Sequence, residues 1–168
     1  MPKPAHAPTP KADHLALLAA GIARRTPGFT EIRGEGEGNR ATNLFMRQLK
    51  EVAEQEFGAG CSEAKLCGTN KLALDFYFRD EATAVEIAFG LRNPNSEYER
   101  DVFKCLMAMD RGCAVRRLLF VSKPGAIKRQ SAPGQKAITE FVRKRFGLAI
   151  EIYEIDGTPE DETRGCTG

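Results

Sequence analysis

The sequence predicts an α/β fold: a central mixed sheet flanked by helices. Segments 71–79 and 83–89 alternate apolar and polar residues with period two, as strands do. A near-continuous apolar run, Val115–Val121, reads as a buried strand. Helical spacing of apolar residues precedes, separates and follows these runs.

Each element follows in order. Met1–Lys11 carries four prolines and little that can bury, so it reads as a disordered tail. Asp13 is the expected cap of a helix containing Leu15, Leu17, Leu18 and Ile22, ending near Arg24–Arg25. Gly34, Gly36 and Gly38 form a glycine-rich loop. Glu35 and Glu37 within it would repel phosphate and the GxGxxG spacing is missing, so it reads as a flexible connection. Phe45, Leu49, Val52 and Ala53 place a helix over about Asn39–Phe57, stopped by Gly58. After the two alternating strands comes a turn-rich stretch, Leu91–Asn95. Ser96 and Glu99 then make a capping box for a helix through Val102, Phe103, Leu106 and Met109. The Val115–Val121 strand leads to a basic loop with Lys123, Lys128 and Arg129. A helix over Pro133–Phe146 ends at Gly147, and Leu148–Ile155 forms the last strand before an acidic tail. Residues 12–155 are thus read as one domain, with residues 156–168 outside it.

Composition removes several function classes. With only His6 and His14, at the N-terminal end, a Ser/His/Asp or Cys/His nucleophilic site inside the globule is disfavoured. Acid–base or metal chemistry then falls to carboxylates, lysines and tyrosines, and carboxylates favour hard ions such as Mg²⁺. The five cysteines include no CxxC pair and are read as reduced thiols of a cytoplasmic protein. No apolar run is long enough to span a membrane, and no signal peptide is recognisable. The formal charge of +2 hides a strong asymmetry: residues 111–145 carry ten bases and one acid, residues 151–164 six acids and one base. A segment so basic suits a polyanion, and DNA is the expected partner.

If 71–79 and 83–89 form a hairpin around Asp80 and Glu81, one register puts the apolar residues of both strands on one face. Phe76 then lies opposite Val85, Leu74 opposite Ile87, and Asp75 opposite Glu86. Two carboxylates set directly across a sheet repel unless a cation, a proton or a basic side chain lies between them.

At these residues the sequence resembles the PD-(D/E)XK nuclease superfamily, which implies a restriction-endonuclease-like core. The matching text is Leu74-Asp75-Phe76, then Val85-Glu86-Ile87-Ala88-Phe89-Gly90, then Glu99-Arg100-Asp101-Val102-Phe103-Lys104. It looks like the active-site strand and following helix of type II restriction enzymes that act as homodimers, and it covers roughly Asn39 to Val121. The resemblance implies a Mg²⁺- or Mn²⁺-dependent endonuclease that hydrolyses DNA phosphodiester bonds. Asp75, Glu86 and the backbone carbonyl of Ile87 would be the metal ligands. Lys123, Lys128, Arg129 and Lys136 would neutralise backbone phosphates, and a homodimer is expected.

The chain departs from that pattern at one place. The third catalytic position, usually lysine, is Ala88, which can neither orient water nor stabilise a developing oxyanion. Lys71, on the same strand face as Asp75, is the first substitute. Lys104, on the following helix, is the second, although its helical angle lies nearly opposite the expected apolar stripe. Glu51 on the preceding helix could assist the metal, as an acid there does in some members of that family, but reads more simply as a surface glutamate. The alternative function is a catalytically inactive nuclease-fold protein that binds DNA or a protein partner.

Overall fold

The computed structural model describes residues 9–26, 29, 37–67, 72–91 and 97–156. The elements are α1 (Lys11–Arg25), α2 (Glu37–Phe57), β1 (Ser62–Ala64), β2 (Leu74–Phe78), β3 (Thr83–Ile87), α3 (Glu97–Asp110), β4 (Arg117–Ser122), α4 (Ala126–Gln130), α5 (Pro133–Phe146) and β5 (Ala149–Glu154). They form the expected α/β arrangement around one five-stranded mixed sheet, in the order β1-β2-β3-β4-β5. β1, β2 and β3 are antiparallel, whereas β3, β4 and β5 run parallel through helical crossovers.

The β2–β3 hairpin adopts the register that side-chain alternation demands: Phe76 pairs with Val85, Tyr77 with Ala84 and Phe78 with Thr83. The connection is a tight turn over Arg79–Glu81, closed by Ala82 at φ +48°. Phe76, Phe78 and Val85 face one core, packed against α1 and α2 with Phe45, Leu49 and Leu15. Tyr77, Ala84 and Ala88 face the other, built with Tyr98, Val102 and Cys105 of α3 and Val142 of α5. Both faces of the sheet are therefore covered, which gives β4 its continuous burial. Leu74 departs from simple alternation: at the start of β2 it joins the α3-side core rather than that of Phe76.

Several boundaries differ for physical reasons. Helix α1 begins at Lys11, inside the segment expected to be tail, and its cap is not Asp13. The Glu81 carboxylate accepts the Lys11 and Ala12 backbone N–H groups at 2.5 and 3.2 Å, so the hairpin turn caps the helix from across the fold. Asp13 instead grips the Arg117 guanidinium through bonds of 2.8 and 2.9 Å. The expected basic loop contains a short helix, α4, and β1 escaped the reading because three residues carry no periodic signal. Gly38 lies inside α2. The first eight residues, Gly34, Gly36, Lys71, Arg92–Ser96 and residues 157–168 lie outside the described residues. Cys61, Cys67, Cys105 and Cys113 are free thiols. Among the described residues no helix is long and apolar enough to cross a membrane.

A candidate carboxylate–lysine site at the end of the third strand

The site grows from the end of the β2–β3 pairing. Glu86 follows Val85, and by alternation its side chain leaves the sheet on the α3 side, the face shared by Tyr77 and Ala84. Asp75 precedes Phe76 and takes the same side. Here the ladder opens: the backbone N–H of Ile87 donates to the Asp75 carboxylate at 2.8 Å. A side chain thus stands where sheet pairing would otherwise supply a carbonyl, and it is held against β3. The two carboxyl groups are close enough that each influences the other's protonation.

Helix α3 supplies the counter-charge. Lys104 Nζ donates to Glu86 Oε1 and Oε2 at 3.0 and 3.2 Å and lies 3.0 Å from Asp101 Oδ1. These are core positions: Glu86, Asp101 and Lys104 are only 3, 1 and 4% exposed. Asp101 also accepts the Arg100 Nε at 3.2 Å, and Glu97 Oε1 lies 3.9 Å from Arg100 Nη2. The cluster therefore holds four carboxyl groups against two cations.

That surplus of acid in a poorly hydrated place shifts protonation. Burial, then the charges of Asp75 and Asp101, push the Glu86 carboxyl up to about 9, opposed by Lys104. Burial also raises Asp75, while the Ile87 N–H and Lys104 pull it down. Lys104 is raised because the Glu86 and Asp101 charges outweigh its burial. The consistent state is a charged lysine beside a carboxyl pair that retains one proton between them.

The placement of Lys104 corrects the helical wheel read from sequence. A stripe through Val102, Phe103, Leu106 and Met109 put Lys104 on the far side. The buried stripe is Tyr98, Val102, Cys105 and Ala108, with Phe103 61% exposed. This rotation turns Asp101 and Lys104 inward. Lys71, the first substitute for the missing lysine, lies outside the described residues. Ala88 shares the face of Glu86 and is fully buried in the apolar core, its N–H bonded to the Val121 carbonyl at 2.9 Å. Asp101, Arg100 and Glu97 were missed as members of the site. The available signal was an acid and a base at a three-residue step within a helix whose neighbours at 98, 102, 105 and 108 are apolar or small.

The basic residues divide. Because β4 and β5 are parallel, α5 starts at the sheet end where Glu86 sits and finishes at the opposite end. Lys128 and Lys136 are exposed and Arg129 is half-buried, all at the end shared with the cluster. Lys136 also faces Glu140 at 3.8 Å. Lys123 is engaged internally, donating to the Phe29 carbonyl at 2.8 Å and lying over the Phe29 and Phe89 rings. Glu51 is exposed on α2. A cavity of about 410 Å³ between α3, α4, α5 and β5 has Tyr98, Gln130 and Thr139 in its wall and includes none of the clustered acids or Lys104.

Carboxylate oxygens are the donor type that a hard cation takes. A divalent ion such as Mg²⁺ or Mn²⁺ could take the place of the proton that burial favours on this carboxyl pair. Among the described residues no three His, Cys, Asp or Glu side chains converge as a complete metal cage. Mg²⁺ does not demand one, since it commonly keeps water and takes one or two carboxylates. No family model, no curated protein and no solved structure matches this chain.

Proposed function

We propose that this protein is a divalent-metal-dependent endonuclease acting on DNA, with a PD-(D/E)XK-like site whose lysine has moved from the strand to the helix. The observation that carries the reading is that Asp75, held by the Ile87 N–H, stands beside Glu86 at the end of the β2–β3 pairing, with Lys104 bonded to Glu86. Support also comes from the sheet order and the mixed strand directions, which suit the resemblance in the sequence.

Asp75, Glu86 and the Ile87 carbonyl are the residues that would hold Mg²⁺ or Mn²⁺. Bound there, the ion would polarise a phosphoryl oxygen and acidify a water molecule. The chain's own groups do the rest. Asp75 is oriented by the Ile87 N–H, so its carboxylate is fixed before substrate arrives. Lys104 supplies the positive charge that Ala88 lacks, in a setting where low hydration strengthens its pull on a developing oxyanion. Lys128, Arg129 and Lys136, at the same sheet end, would neutralise backbone phosphates without reading sequence. Free thiols agree with a cytoplasmic location, and a homodimer would present two such sites to the two strands of a duplex.

The test is cutting of plasmid DNA in Mg²⁺ or Mn²⁺ by wild type and by Asp75→Ala. Cutting by wild type that Asp75→Ala abolishes supports the reading; equal behaviour of the two rejects it. A second reading, a catalytically silent DNA- or protein-binding relative, is favoured by Ala88 and by the burial of Glu86 and Lys104. It predicts salt-dependent DNA binding with no cutting in either metal.

A further inference from the structure

Arg100 combines a fixed origin with an open face. Its side chain is 48% exposed, while Asp101, which accepts its Nε at 3.2 Å, is buried. The other nearby acid, Glu97, is 3.9 Å from Nη2, beyond hydrogen-bonding reach. Among the described residues the Nη groups thus make no hydrogen bond, although a guanidinium carries five donors. Arg100 and Lys104 are one helical turn apart and both contact Asp101 Oδ1. Lys104 is the buried arm of this fork and Arg100 the arm toward solvent.

We propose that Arg100 is the substrate-phosphate anchor of the Asp75–Glu86 site, aimed by Asp101, its ligand the paired oxygens of a nucleic-acid phosphodiester. The inference rests on the nuclease reading for its substrate. A planar fork of free N–H groups matches phosphate in a bidentate way that lysine does not. The surrounding carboxylates oppose an incoming anion, so the anchor works only once a divalent cation offsets them. It differs in this from Lys128, which acts through long-range charge alone.

The experiment compares full-length wild type, Arg100→Ala, Arg100→Lys and Lys128→Ala by fluorescence polarisation of a labelled DNA duplex. Each is measured in Ca²⁺ and in EDTA, beside plasmid cutting in Mg²⁺ and Mn²⁺. Arg100→Ala is expected to weaken binding roughly ten- to hundredfold in Ca²⁺ and far less in EDTA. Arg100→Lys should recover part of the loss, and Lys128→Ala should weaken binding equally in both conditions. Thermal unfolding of Arg100→Ala near that of wild type assigns the loss to the contact. Wild-type affinity in Arg100→Ala, or a loss independent of Ca²⁺, overturns the anchor; so does cutting with unchanged kcat and KM. If wild type binds through Arg100 in Ca²⁺ yet cuts in neither metal, the nuclease reading falls and the anchor stands. If wild type binds no DNA, both fall.

Discussion

Lys104 Nζ and Glu86 Oε1 lie 3.0 Å apart, joined across eighteen residues by the packing of α3 on the sheet. The Lys104 ammonium could not remain buried alone, because desolvation of an unpaired ion costs more than a small domain can spare, and it lies against a carboxyl pair that shares one proton. Each side chain therefore defines the protonation and position of the other.

Removing the ammonium should expose that dependence. Lys104→Met leaves Glu86 and Asp101 buried without their shared cation, and a loss of about 3–5 kcal/mol is expected. Urea unfolding at neutral pH measures it. An unchanged midpoint would mean that the pair contributes nothing. Cutting activity should vanish in the same variant.

The pH dependence follows from Glu86. Its carboxyl is raised to about 9 in the folded protein against an ordinary value of 4.5. The folded state therefore keeps a proton that the unfolded chain releases, and stability falls as pH climbs from about 4.5 toward 9. Lys104 is also raised, but the stability it adds is lost only above its ordinary value of 10.5, outside that window. Glu86→Gln should flatten the slope and gain on the order of 1–3 kcal/mol at pH 8. Melting curves from pH 5 to about 9 check both statements; a wild-type slope of opposite sign would contradict them.

Metal should act on the same balance. If Mg²⁺ or Mn²⁺ replaces the retained proton, saturating ion raises thermal stability by about 2.7 kcal/mol at a hundredfold excess over Kd. The effect should grow between pH 6 and about 8. Asp75→Asn and Glu86→Ala should each remove it, whereas Glu51→Ala, at an exposed position of α2, should not. Differential scanning fluorimetry reads all three.

Restoring lysine on the strand should not help. Ala88 is fully buried, so Ala88→Lys forces a long charged side chain into the α3-side core, at a cost of roughly 3 kcal/mol or more. Ala88→Lys with Lys104→Ala frees space and a carboxylate partner, and should recover some of the cutting lost in Lys104→Ala. Failure of the double variant to exceed the single one would show that the two positions are not interchangeable.

The helix α1 cap gives a test away from the site. Glu81→Ala leaves the Lys11 and Ala12 N–H groups without their carboxylate, and about 1 kcal/mol should be lost. Hydrogen exchange of α1 amides should rise while that of α5 is unaffected.

Much of this architecture follows from local pattern. Period-two alternation defined the β2–β3 hairpin and its register, because slipping by one residue would turn Phe76, Phe78 and Val85 out of their core. Pro133 and Gly147 marked the bounds of α5, since proline suits a first turn and glycine takes the φ of +70° that ends it. The juxtaposition of Asp75 and Glu86 came with that register. What the sequence by itself could not determine was the rotation of α3. Its residues offer two overlapping apolar arcs, one through Phe103 and Leu106 and one through Tyr98 and Cys105, and local periodicity weights them alike. Only packing against the sheet chose the second, because Glu86 is buried on that face and needs Lys104. The same choice buried Asp101 and left Arg100 at the solvent boundary, for a helix cannot turn one side chain inward without moving its neighbours.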